Sequence, residues 1–291
     1  MTDTKLPASI DALISEALAI EAVEAKDAGS IGYMARALVQ ATLPHKKHSE
    51  HHFTRKNGNY TLSIMADPEI GLPYGVIPRL LLAWITTEVV RTKQREIELG
   101  DSLSDFMREL DLVPTGGRWG SITRLKDQMR RLFSSVVRAH YQESGGEIGK
   151  TLTPVEEYQL WWTPKQPEQA SLWKSTIKLG EGFYNEVISN PVPIDLRALK
   201  ALKKSPMALD VYMWLTYRMY SVKKPFMINW DSLQLQFGAD FADDKSGRYG
   251  FKKGFTAALK KVQVVYPDAN VLPDKKGILI SPSKVHIARR S

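Results

Sequence analysis

A chain that repeats itself folds the same way twice. Here positions 76–132 align without gaps on 206–262, an offset of 130 residues. Trp84-Ile85-Thr86 falls on Trp214-Leu215-Thr216, Asp101-Ser102-Leu103 on Asp231-Ser232-Leu233, and Gly117-Arg118-Trp119-Gly120 on Gly247-Arg248-Tyr249-Gly250. Leu125, Met129 and Leu132 then meet Phe255, Leu259 and Val262, all apolar and at helical spacing. Each copy reads as a long helix, a short strand, a short helix opened by an Asp-Ser cap, a glycine-bearing turn, a third helix and closing strands, the order of a winged helix. In the second copy the segments are 206–221, 226–229, 231–237 and 248–265. A hairpin joins 269–272 to 277–280 through Pro273-Asp274-Lys275-Lys276. The expected fold is α+β and helix-rich: two tandem winged-helix domains related by an internal repeat, with an acidic helix in front. The expected boundaries are 1–44 for an N-terminal helical segment, 45–190 for the first winged helix and 191–291 for the second.

Outside the repeat, residues 10–28 carry apolar side chains at the helical period behind Ser9 as an N-cap, and a short helix is predicted over 30–42, stopped by Pro44. The run HKKHSEHH gathers His45, His48, His51 and His52. Imidazoles can bind metal, but no carboxylate or Cys sits at a recognised ligand spacing, so the run reads as a solvated basic connector. A hairpin over 53–65 turns at Asn57-Gly58-Asn59. Helices are predicted at 76–94, 102–110 and 119–138, and strands through Tyr158–Trp162 and Ser171–Leu179. Pro191-Val192-Pro193 punctuates the chain, with 180–195 expected to join the two domains. Trp84 and Trp214 read as core, and Trp161 and Trp162 as packing residues.

At 291 residues each half can bury a core. The absence of Cys excludes disulfides, thiolate nucleophiles and Cys-based zinc sites. With no long apolar run and no secretory pattern at the N-terminus, the expected location is the cytoplasm, with no membrane partner. Net charge is +8 but unevenly spread: residues 1–30 carry 2 Lys/Arg against 6 Asp/Glu, and residues 191–291 carry 18 against 8. Clustered cations favour a polyanionic partner, because they release counterions from phosphates.

In a helix-turn-helix the third helix turns an apolar stripe inward and a basic face to the major groove. In the first copy Ile122, Leu125, Met129, Leu132, Phe133, Val136 and Val137 form the stripe, leaving Arg124, Asp127, Arg131 and Arg138 outward, with Arg118, Trp119 and Ser121 at the helix start. In the second, Phe251, Phe255, Leu259, Val262 and Val265 are inward. Tyr249, Lys252, Lys253, Thr256 and Lys260 are outward, with Ser246 and Arg248 at the start and Lys275 and Lys276 at the hairpin tip. Arg binds guanine bidentately whereas Lys acts on phosphate as a point charge, so Arg124 and Arg131 are the candidates for reading bases. Gly117 and Gly247 would let the backbone approach closely at the start of each helix.

The stretches GLPYGVIPRLLLAWITTEVVRTK (71–93), GDSLSDFMRELDLVPTGGRWGSITRLKDQMRRLF (100–133), NPVPIDLRALKALKKSPMALDVYMWLTYR (190–218) and WDSLQLQFGADF (230–241) resemble the plasmid-encoded RepA replication initiator family, a likeness spanning roughly residues 30–287. The resemblance implies two winged-helix domains that bind repeated origin sequences (iterons) in double-stranded DNA. It also implies opening of an adjacent A·T-rich region, recruitment of host initiation factors and the replicative helicase in a bacterial cytoplasm, and plasmid copy control. No cofactor, metal or catalytic residue is expected: HKKHSEHH lacks the alternation that sets two imidazoles on one face of a strand, and no Walker A loop, GxSxG or HExxH is present. A tandem winged-helix transcriptional repressor without initiator activity stays open, as does a homodimer.

Overall fold

The computed structural model describes residues 8–163, 165–171 and 174–288, with side chains from residue 13 onward. The chain runs through α1 (Ala8–Ala22), β1 (Ile31–Ala35), α2 (Arg36–Gln40), β2 (His52–Asn57), β3 (Tyr60–Met65), α3 (Val76–Thr92), β4 (Glu96–Glu98), α4 (Leu103–Glu109) and α5 (Ser121–Phe133). It continues through β5 (Val136–Glu143), β6 (Gly146–Thr151), β7 (Glu157–Gln159), β8 (Thr176–Lys178), α6 (Glu181–Ser189), β9 (Pro191–Asp195) and α7 (Leu196–Leu202). Last come α8 (Pro206–Met219), β10 (Phe226–Asn229), α9 (Trp230–Phe237), α10 (Lys245–Val265), β11 (Val271–Pro273) and β12 (Gly277–Ile280). The architecture is α+β, with antiparallel sheets between helices.

Two compact units form. Of the described residues, the larger holds 33–191 with 235–240, and the smaller holds those through Gly32, 192–234 and 241–288. In the larger unit, Gly58 takes the positive φ (58°) that the β2–β3 turn requires, and the pair extends into a four-stranded sheet of order β2-β3-β5-β6. Alternation along the strands turns Phe53, Leu62, Ile64, Val137 and Ala139 inward. A second sheet has the order β4-β8-β7, with Ile97 and Ile177 paired and buried. Helix α5 lays Leu125, Met129 and Leu132 against α3, and each such buried side chain contributes about 1.5–3 kcal/mol.

In the smaller unit α10 packs on α8 and α1 packs on α7 and α10. Phe251, Phe255, Leu259, Val262 and Val265 are all buried, as their spacing predicts. The sheet has the order β10-β12-β11. Both three-stranded sheets therefore place the strand preceding the short helix beside the last strand of the set.

Three expectations change. Residues 31–35 form a strand instead of the first turns of a helix, because Gly32 is a poor helix former and Ile31 and Tyr33 suit alternating burial. The helix expected over 119–138 stops at Phe133, and the β-branched pair Val136-Val137 enters β5. The segment 180–195, expected to join the two domains, is itself structured: Phe183 and Val187 bury one face of α6, and β9 follows. Of the strand expected over 171–179, β8 occupies 176–178, and Leu172 and Trp173 lie outside the described residues.

Candidate nucleic-acid interface

The third helix of each set begins differently. Before α5, Pro114 and Gly116-Gly117 keep the chain out of the helix, with Gly117 at φ +86°. The loop closes on itself: Ser121 Oγ donates to Val113 O (2.5 Å) and accepts from Thr115 N (2.9 Å), while Ser121 N donates to Thr115 Oγ1 (2.9 Å). Gly120 fits because a Cβ there would lie 2.2 Å from Thr115 O. Ahead of α10, Asp244 accepts from Gly247 N at 2.6 Å and starts the helix before the Gly-Arg-aromatic-Gly pattern. Gly247 then lies inside the helix, where a Cβ would come within 2.0 Å of Ala242 O. Gly117, by contrast, has open space around it and serves the turn by its φ.

On α5, Arg124 and Asp127 are exposed as expected, and Arg118 lies over the ring of the exposed Trp119, 5.1 Å from its centroid. Three of the expected residues are placed otherwise. Ser121 is buried, its hydroxyl spent on the loop. Arg131, with its side chain 11% exposed, folds back to pair with Asp127 (2.8 Å), reaches Leu72 O (3.4 Å) and covers the Tyr74 ring. Arg138 is not on the helix: it is exposed on β5, in register with Ser63 and Thr151. Lys126 and Arg130 are exposed on α5 and were missed. Arg130 was legible from the repeat itself, since it aligns with Lys260.

On α10, Ser246, Tyr249, Lys253 and Lys260 are exposed and Thr256 half-buried. Arg248 is exposed and paired with Asp243 at 2.9 Å, a hydrogen bond that raises the pKa of its guanidinium. Lys252 joins the helix to the hairpin, donating to Lys275 O (3.1 Å) with its ammonium 5.1 Å from the centre of the Trp230 ring. Trp230 Nε1 in turn donates to Asp274 O (3.0 Å), and Asp274 accepts from Lys276 N (2.9 Å), which lowers the pKa of its carboxyl. Lys252 is thus held over Trp230 and tied to the hairpin tip that carries Lys275 and Lys276, a link that sequence spacing did not reveal.

The histidine run divides in two. His51 and His52 are exposed, but His48 Nε2 lies 2.7 Å and His45 Nδ1 3.3 Å from the carboxylate of Asp240, whose side chain is 2% exposed, with Arg55 Nη2 at 3.8 Å. The expected solvated connector is corrected here: Asp240, far along the chain, supplies the carboxylate that the local sequence lacks. Burial alone would raise the Asp240 pKa. The hydrogen bonds from both histidines and the Arg55 charge outweigh it and hold the carboxyl well below the usual range. Arg79, buried in α3, bolts the preceding segment down by donating to Leu43 O, Pro44 O and Gly75 O. Among the described residues no group of three or more His, Cys, Asp or Glu is arranged to hold a metal, and no helix is long and apolar enough to cross a membrane.

The family described as plasmid encoded RepA protein matches residues 72–232, more than half of the chain. The chain belongs to this family. Curated protein sequences gave no match. In fold, this RepA-family chain is similar to a crystal structure of domains 2 and 3 of RctB, with a TM-score of 0.51 at 10% identity over 84% of this chain and 94% of that one. A selenomethionine crystal structure of the same two domains aligns with a TM-score of 0.52 at 11% identity, over 83% and 94%.

Proposed function

We propose that this RepA-family chain is a plasmid replication initiator that reads repeated origin sequences in double-stranded DNA through two winged helices, with α5 and α10 as the recognition helices. One observation carries the reading: the order helix, strand, short helix, third helix occurs twice, and each third helix buries an apolar stripe while holding cations outward. The matching orders β4-β8-β7 and β10-β12-β11 support it, as does family membership. In this reading β11–β12 is the second wing, with Lys275 and Lys276 facing phosphate. Strands β7 and β8 make the first wing, and β5–β6 is an insertion between recognition helix and wing.

The division of labour follows from side-chain chemistry. Arg124 reads bases through its planar fork, while Arg118, Lys126, Arg130, Lys252, Lys253, Lys260, Lys275 and Lys276 neutralise phosphates and set register. Two modules on one chain gain effective concentration, so losing either costs far more than half the affinity. Origin opening, contact with host initiation proteins and the replicative helicase, and action in the bacterial cytoplasm extend the proposal along the family's line. No step in it needs a metal, a cofactor or a catalytic residue.

Selection of bound duplexes from a random library at near-physiological salt tests the reading. The expected result is one long enriched motif spanning two major-groove segments. Absence of enrichment, with binding that fades as salt rises, contradicts it. A plasmid carrying the gene and copies of that motif is then expected to replicate; one that fails to replicate while the adjacent promoter is silenced identifies a repressor instead.

A further inference from the structure

Two aromatic rings stand out in water: Trp119 is 80% exposed and Tyr249 70%. They hold the same position in the repeat, each directly after an arginine and before a glycine. The backbones that carry them differ, since Trp119 precedes α5 in a loop and Tyr249 lies within the second turn of α10. The chain thus reaches the same outward ring by two local routes. A large ring left in water forgoes the burial that favours aromatic side chains inside proteins, so its repetition at the start of both third helices points to a bound partner.

The surrounding charge selects the partner's class. Arg118 lies against Trp119, and Arg124, Lys126 and Arg130 continue along α5. Lys252 and Lys253 follow Tyr249 along α10. An apolar protein surface would satisfy the rings and leave the cations without counter-charge. A nucleic acid satisfies both, with phosphates for the cations and base faces for the rings.

We infer that Trp119 and Tyr249 are stacking wedges, each pressing its ring against a base partly displaced from the duplex stack at a pyrimidine–purine step. Binding then deforms the DNA at one point per third helix. The inference rests on the duplex-reading function proposed above. Pyrimidine–purine steps unstack most readily, and apolar side chains inserted between base steps are a recurrent means of kinking DNA. Stacking tolerates any base, so each wedge selects for deformability, while Arg124 selects for base identity on α5. The bound sequence should therefore carry a TA or CA step at a fixed offset from the bases that Arg124 reads.

The test replaces each adenine of the selected duplex in turn by 2-aminopurine, whose fluorescence rises when it unstacks. With wild-type protein, a severalfold rise is expected at two separate positions. Trp119→Ala should abolish one rise and Tyr249→Ala the other, each weakening binding on the order of tenfold, while Trp119→Phe keeps its rise. A mismatch placed at the affected step should tighten binding by wild type and leave Trp119→Ala unimproved. Specific binding with no rise, or with rises that persist in both alanine variants, overturns the wedges and leaves duplex reading intact. Failure of wild type to prefer any duplex overturns both.

Discussion

The pattern Gly-Arg-aromatic-Gly is read as loop at 117–120 and as helix at 247–250, and the cause lies upstream of both. Val113-Pro114-Thr115 runs into the glycine pair Gly116-Gly117, and Thr115 Oγ1 accepts only from Ser121 N, after the pattern has passed, whereas Asp243-Asp244-Lys245-Ser246 supplies an N-cap that starts α10 before the pattern begins. The difference teaches that a repeat in sequence preserves which side chain is left outward more strictly than the backbone behind it. Trp119 and Tyr249 both end in solvent, on different supports. Even the glycines divide the work differently. Gly117 supplies a positive φ and Gly120 a close approach in the first copy, while Gly247 supplies the close approach in the second.

That contrast is broken most severely at the two tight glycines. Gly247→Ala and Gly120→Ala each force a methyl group onto a backbone carbonyl, and each should cost about 3 kcal/mol of stability, read from urea unfolding. Wild-type stability in either would mean that the carbonyl is not held there. A smaller loss, about 1 kcal/mol, is expected for Asp244→Ala, with the far-UV helix signal falling as α10 retreats toward the position of α5. At α5 the N-cap Gly120 has no side chain to remove, and it is Thr115 Oγ1 that accepts from the first helical N–H, Ser121 N.

Acid should separate the two units by pH range. His286 in the smaller unit hydrogen-bonds Tyr212 through Nδ1 (2.9 Å) and stacks on Tyr266, and its burial lowers its pKa. A group favoured neutral in the folded state costs stability once the unfolded chain takes up the proton. The smaller unit should therefore lose stability as pH falls below about 6.5, and His286→Asn should flatten that slope. In the larger unit the depressed Asp240 pKa acts with the same sign but at lower pH. Its contribution is present above the unfolded carboxyl value of about 3.9 and is lost only as pH falls below it toward the folded value. Hydrogen exchange at pH 7, 5.5 and 3 should show protection lost first in 206–219 and 245–265; simultaneous loss in both units would refute the separation. Smallest of all, Gly250→Ala should be neutral or raise stability by about 0.5 kcal/mol, since its Cβ would meet only the edge of Phe241 at 3.5 Å inside a helix.

What the sequence revealed is what is local or periodic. The buried stripes of α5 and α10, the turn at Gly58 and the hairpin ending at Ile280 follow from spacing and turn chemistry alone. What it concealed depends on residues distant in the chain. Arg131 reads as outward by the helical period, yet Asp127 and the segment from Gly71 to Tyr74 draw it back. Ser121 reads as a helix-start contact, yet the loop from Val113 needs its hydroxyl. His45 and His48 look solvated until Asp240 arrives from nearly 200 residues away. Periodicity predicts which way a side chain leaves its helix, and only packing decides where its charged end comes to rest.

Hydroxyl-radical footprinting on the selected duplex, with wild type, Arg124→Ala and Lys260→Ala side by side, bears most directly on the claim that both third helices read DNA. Wild type should protect two separate segments. Arg124→Ala should lose one segment and about 1–3 kcal/mol of preference for that sequence, and Lys260→Ala should weaken binding to all duplexes alike. A single protected segment unchanged by Arg124→Ala would show that α5 does not face the DNA.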